Sequence, residues 1–210
     1  MRFLITAGPT REYFDTVRFL TNASSGKMGY ACAGAALAVG HEVTLISGPV
    51  SLEKPKGAKL IKVVSSEEMA QAVLKEFRRC DCVIMTAAVC DYRPARKYSS
   101  KMTKSDGPLS IQLRRTTDIL ARLGKTKKNQ LLIGFAVQDK SPRQNARRKL
   151  AEKNLDALVL NHPKTFAADK SDFEILTPPV NWQKLPGITK KNLATRLVKL
   201  ADKLHRQQSG

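Results

Sequence analysis

Short, nearly continuous apolar runs alternate along this chain with amphipathic stretches of helical period. The runs are Phe3–Ala7, Glu42–Ser47, Lys59–Val64, Cys82–Ala87, Gln130–Phe135 and Ala157–Asn161, all rich in Val, Ile and Leu. Apolar runs without alternation are what strands covered on both faces require, and such strands belong to parallel sheets. Between them, Met69, Val73 and Phe77 share one face of a helix expected over Ser66–Arg79, with Ser65 and Glu68 as a capping box. A second helix is expected from Ser141 to Asn154, with Ser141 as N-cap and Pro142 at the first helical position. Leu193, Leu197, Leu200 and Leu204 put a core-facing stripe on a terminal helix.

Strand–helix–strand alternation of this kind predicts one α/β domain over 1–210, built on a Rossmann-like, doubly wound, mostly parallel sheet. Two stretches break the rhythm. Residues from about 92 to 108 are polar and basic without periodicity, and read as a flap loop. Residues from about 163 to 189 hold several prolines, Trp182 and a short Phe173–Leu176 run, and read as a small hairpin excursion. There is no internal repeat.

Charge changes the picture less than its size suggests. The chain carries 37 Lys and Arg against 18 Asp and Glu, a formal +19. Nucleic acid is the first partner such an excess brings to mind. However, the basic residues are spread along the chain, aromatic content is 6%, and no base-stacking motif appears, so anionic small molecules account for the charge equally well. No apolar run approaches the ~18–20 residues that cross a bilayer, and no signal-peptide pattern precedes the first strand. A cytoplasmic protein with no membrane partner is expected. Cys32, Cys80, Cys82 and Cys90 include no CxxC pair, so reduced thiols are expected rather than a disulfide or zinc site.

Ligands of doubly wound sheets bind at the carboxyl ends of the strands, so the loops after Ala7, Ala87, Phe135 and Asn161 are the places for chemistry. Gly8-Pro9-Thr10-Arg11 follows the first strand, and Ser24-Ser25-Gly26-Lys27-Met28-Gly29 leads into a helix of small residues, Ala31 to Ala36. Small side chains let that helix lie close to the sheet. Its N-terminus then offers unpaired N–H groups, a positive dipole end and two hydroxyls to an anion, with Gly26 and Gly29 permitting close approach. GxGxxG after the first strand is missing, which argues against a nicotinamide oxidoreductase, and GxxxxGK[ST] is missing too.

Taken with these strings, Val17-Arg18-Phe19-Leu20-Thr21-Asn22, Thr86-Ala87-Ala88-Val89-Cys90-Asp91-Tyr92, Lys101-Met102-Thr103-Lys104 and Gly134-Phe135-Ala136 occur in order. The set resembles the phosphopantothenoylcysteine synthetase family, the ligase half of a bifunctional coenzyme A biosynthetic protein, over about residues 1–175. The resemblance implies joining of 4′-phosphopantothenate to cysteine through an acyl-nucleotide, with CTP (or ATP) and Mg²⁺ as co-substrates. It further implies a homodimer, with any flavin-dependent decarboxylase on a separate protein.

Residue by residue, the resemblance implies that Asn22 bonds the pantothenate acyl carbonyl and that Arg18 reaches the pantothenate phosphate across the dimer. It places Gly8, Ser24, Gly26, Gly29, Phe135 and Asn161 around the nucleotide. Ala87, Ala88 and Asp91 shape the pantothenate and base region, Lys101 closes over the phosphates, and Lys149 and Lys153 read the cytosine. Simpler readings stand beside these: Asn22 as a cap of the following helix, Arg18 as a surface ion pair, Asp91 as a turn residue, and Lys101, Lys149 and Lys153 as solvated cations. Gln138, His162 and Thr103 depart from the family pattern. A non-catalytic nucleotide-binding relative and a basic nucleic-acid-binding α/β domain are the competing functions.

Overall fold

The computed structural model describes residues 1–104, 106–137, 141–161 and 170–209. Gln138 and His162, two of the departures noted above, lie outside them, as does part of the expected excursion. The apolar runs become β1 (Arg2–Ala7), β4 (Glu42–Ser47), β5 (Lys59–Lys62), β6 (Cys82–Met85), β9 (Leu131–Val137) and β10 (Ala157–Asn161). All pair in parallel, in the order β10-β9-β6-β1-β4-β5. Two antiparallel strands, β11 (Lys170–Thr177) and β12 (Asn181–Thr189), extend the sheet beyond β10 to eight strands. The described part of the expected excursion is therefore a hairpin laid onto the sheet.

Helices cover both faces, which explains the unbroken apolar character of the parallel strands. On one face α1 (Lys27–Ala38) and α5 (Lys190–Ser209) bury Cys32, Ala33, Ala36, Leu193, Leu197 and Ala201 against Phe3, Ile5 and Ile133. Leu200 and Leu204 of the expected stripe are only partly buried there. On the other face α2 (Ser66–Phe77), α3 (Ile119–Thr126) and α4 (Pro142–Glu152) bury Met69, Val73, Phe77, Leu123 and Leu150 against Leu4, Val83 and Leu132. Each fully buried Leu, Ile or Val on these faces contributes about 1.5–3 kcal/mol against exposure.

The expected start of α2 holds: Ser65 Oγ accepts from the Glu68 N–H (3.2 Å), while the Glu68 carboxylate reaches back to the Val64 N–H (2.8 Å). That of α4 does not. Ser141 precedes Pro142 as expected, but its left-handed backbone (φ 46°) gives no side-chain cap, because capping needs an extended N-cap residue. Pattern reading missed α3 and two small antiparallel pairs, β2 (Arg11–Tyr13) with β3 (Phe19–Thr21) and β7 (Tyr92–Pro94) with β8 (Leu113–Arg115). The flap expected from 92 thus begins as a strand and hangs between β7 and β8.

A staple joins the N-terminal ends of the central strands. Asp81 donates its N–H to Arg2 O (2.9 Å) and accepts from the Arg2 N–H (2.7 Å) and guanidinium (2.7 Å). Hydrogen bonding to Arg2 holds its carboxyl below the usual carboxylate range. A depressed folded value means that the stabilisation is present above the unfolded value near ~3.9 and is lost as pH falls through the folded one. Because Arg2 is half exposed, Asp81→Asn is expected to cost about 1 kcal/mol at pH 7. Melting curves at pH 7 and pH 3 check this: the deficit should shrink in acid, and an equal deficit at both would rule the ion pair out as its source.

Candidate functional site

The strand order reverses between β1 and β6, the switch point at which doubly wound sheets bind ligands. Beyond the strands the chains stay in register through a Pro9–Ala88 bridge, with the Ala88 N–H donating to Gly8 O (2.9 Å) and the Thr10 N–H to Ala88 O (3.3 Å). Thr10, fully buried, accepts the Cys90 N–H on its hydroxyl (3.0 Å). The Ala88–Asp91 bend is then closed from the far side, where Thr116 donates to Cys90 O (2.6 Å) and Asp91 O (3.0 Å).

Asn22 is part of this lacing. Its Nδ2 donates to Ala88 O and to Val89 O, both at 3.1 Å. It does not cap α1. That helix begins after Gly26, whose backbone is left-handed (φ 76°) and makes no side-chain cap, so the first N–H groups of the helix stay open. The close packing expected of α1 arises at Gly29. A Cβ there would sit 2.6 Å from Ala7 Cβ, 2.7 Å from Thr86 Oγ1 and 2.8 Å from Thr6 O. Gly29 therefore presses the helix onto β1 and β6 on its Cα side, and a Cβ at Gly8 would meet Val50.

In front of the helix tip lies a cleft of about 150 Å³. Ser24, Gly26, Ala87, Ala88, Phe135 and Asn161 line it, all six picked out from the sequence. Thr86, Lys27 and Met28, which stand in the quoted motifs without a role of their own, line it too; Lys190 was missed, because it opens α5, remote in sequence from every motif. Gly8, Arg18, Asn22, Gly29, Asp91, Lys101, Lys149 and Lys153 are not among the lining residues, although Asn22 is tied to Ala88, which is.

The other candidate cations form two groups by their partners, Lys149 with Lys153 and Arg18 with the flap. Lys153, just past the end of α4, is engaged by Asp118 (2.7 Å), the N-cap of α3, whose carboxylate also accepts the Ala121 N–H (3.0 Å). Lys149 in the last turn of α4 is half-buried; burial and the neighbouring Lys153 lower its pKa, against the pull of Asp91 and Asp118. Asp118 was also missed, although an Asp ahead of Ile-Leu-Ala is a readable helix start. Arg18 makes the ion pair allowed for it, to Asp15 at 3.1 Å, and also donates to Met102 O in the flap (3.3 Å). Lys101 is exposed and makes no hydrogen bond or ion pair among the described residues.

All four cysteines are buried and free. Burial pushes Cys32 and Cys80 up to about 12, and raises Cys82 and Cys90 as well, so none supplies a thiolate. Among the described residues no helix is long and apolar enough to cross a membrane.

These features define a Rossmann-like α/β domain with its cleft at the switch point and a helix N-terminus opening onto it. Residues 1–204 match the DNA/pantothenate metabolism flavoprotein C-terminal domain, and the chain belongs to that family. The Coenzyme A biosynthesis bifunctional protein CoaBC of Bacillus subtilis (strain 168) is 46% identical over 209 residues, which is 97% of this chain and 52% of that protein. The chain thus spans about half the length of this curated relative. A crystal structure of the C-terminal domain of a Coenzyme A biosynthesis bifunctional protein CoaBC superposes with TM-score 0.86 at 41% identity, covering 98% of this chain and 96% of that one. A Cab2 mutant complex with phosphopantothenate-cysteine superposes with TM-score 0.81 over 99% of this chain and 87% of that one; at 17% identity this speaks for the fold alone.

Proposed function

We propose that this domain makes the amide bond of 4′-phosphopantothenoylcysteine from 4′-phosphopantothenate and cysteine, driven by a nucleoside triphosphate. One observation supports it above the others: Asn22, the Ala88–Val89 bend and the Gly26 helix tip meet at one switch point, in a family whose matched B. subtilis member is named for coenzyme A biosynthesis. In this reading the substrate carboxylate attacks the α-phosphorus and pyrophosphate leaves. The cysteine amine then attacks the acyl carbon of the acyl-nucleotide, and the nucleoside monophosphate leaves.

Little covalent chemistry falls to the protein, which supplies position and charge. The open N–H groups of α1, with Ser24, face the anion. Asn22 donates to the acyl carbonyl by exchanging one of its two present carbonyl partners for the ligand. Lys101 neutralises the departing pyrophosphate, and Lys149 and Lys153, bracketing Asp118, face the base. In this reading Mg²⁺ would be carried on the triphosphate and would offset part of its charge. CTP is proposed ahead of ATP because the family resemblance pairs CTP with bacterial members. The proposed setting is the cytoplasm, as a homodimer, with the flavin-dependent decarboxylase step supplied by another domain or protein.

The test supplies phosphopantothenate, cysteine and Mg²⁺ with each triphosphate in turn. Pyrophosphate release that requires phosphopantothenate is expected, fastest with CTP. No release with any triphosphate, but intact nucleotide binding, would favour the non-catalytic relative; steep salt-sensitive binding of oligonucleotides instead would favour the nucleic-acid reading.

A further inference from the structure

The turn between β2 and β3 contains an aspartate with more bonds than a turn needs. Asp15 is fully buried. Its Oδ1 accepts the N–H groups of Val17 (2.7 Å) and Arg18 (2.6 Å), which by itself closes the turn. Its Oδ2 is left over, and a buried carboxylate oxygen needs partners. One is the Arg18 guanidinium at 3.1 Å. The other is the N–H of Met102 at 3.2 Å, 87 residues along the chain.

Arg18 completes the grip from the opposite side, donating to Met102 O at 3.3 Å. Residue 102 is therefore held at both its N–H and its C=O by one acid–base pair, whatever its side chain. The N–H in question belongs to the peptide that joins Lys101 to Met102. Four residues earlier the same turn holds the flap again, where the Tyr98 N–H donates to Phe14 O (2.8 Å). Burial alone would raise the Asp15 carboxyl, but the three backbone N–H donors and Arg18 outweigh it and hold it below the usual range. The latch thus stays charged at neutral pH.

We infer that Asp15 is a positioning residue that fixes the Lys101 flap through the Met102 N–H. This rests on the proposed role of Lys101, but the latch itself can be read without any turnover. Asp15→Asn keeps the Oδ1 acceptor for the turn and replaces Oδ2 by an amide that cannot accept. Met102→Pro removes the donor and leaves Asp15 and Arg18 in place. Trypsin can read the flap in either variant by cutting after Lys104. The bond after Lys101 is unsuitable, because a proline following it would resist the protease.

In limited trypsinolysis of the whole chain, both variants should be cut after Lys104 roughly tenfold to a hundredfold faster than wild type, as loss of a charge-assisted bond implies. The double variant should be cut no faster than the quicker single one. In the ligase assay both should lower kcat for pyrophosphate release by a similar factor. Both should still convert a supplied acyl-nucleotide and cysteine at the wild-type rate. Unchanged cleavage in either folded variant would overturn the latch. Faster cleavage in a protein that releases no pyrophosphate even as wild type would keep the latch and remove the ligase reading instead.

Discussion

Asn22→Asp should lower phosphopantothenate-dependent pyrophosphate release by on the order of 10²–10³-fold, the loss typical when one donor is removed from a site where negative charge develops. The cause is visible without a ligand. The amide now donates two hydrogens to Ala88 O and Val89 O. A carboxylate has none to give, so it would set two anionic oxygens against two carbonyl oxygens, and it would also repel a carboxylate substrate. Because Asn22 is exposed, the new side chain can swing into water. The folding penalty should then stay within about 0.5 kcal/mol, a shift of only ~1–2 °C in Tm. Steady-state assays beside thermal melts separate the two effects. A variant keeping more than about a third of wild-type turnover would leave Asn22 a structural tie and nothing more.

Lys101→Gln should be comparably severe, but in the first half-reaction only. Lys101 is exposed and has no partner among the described residues, so Gln has no packing or ion pair to break. What changes is one positive charge on a pinned flap. If that charge offsets the pyrophosphate as it departs, acyl-nucleotide formation should fall by roughly 10²–10³-fold, the range seen for preorganised charge stabilisation. Supplying the acyl-nucleotide directly should restore product formation from cysteine. Pyrophosphate release within about threefold of wild type would assign Lys101 to the solvated surface.

The sheet was legible because period and burial carry it. Unbroken apolar runs such as Leu131–Ile133 and Ala157–Leu160 can be satisfied only between two helix layers, and that is where they lie. The cleft was legible in its local parts, since Ser24-Ser25-Gly26 and Ala87-Ala88 are contiguous strings at strand ends. Three-residue strands such as β2 and β7 are too short for any period to register, so both small antiparallel pairs were missed. Gly29 was legible only as a missing Cβ: sequence does not show that the Thr6 carbonyl and Ala7 take the space. Asp15 and Lys190 owe their roles to partners or neighbours tens of residues away, and nothing adjacent to them announces it.

The burial of the four thiols bears on the chemistry proposed here. A catalyst bathed in free cysteine works beside a compound that readily enters thiol–disulfide exchange, and a surface thiolate would accumulate cysteinylated adducts. Cys32, Cys80, Cys82 and Cys90 are all shielded and all held in the protonated form. The only thiol that such a protein presents to its surroundings is then the one its substrate brings.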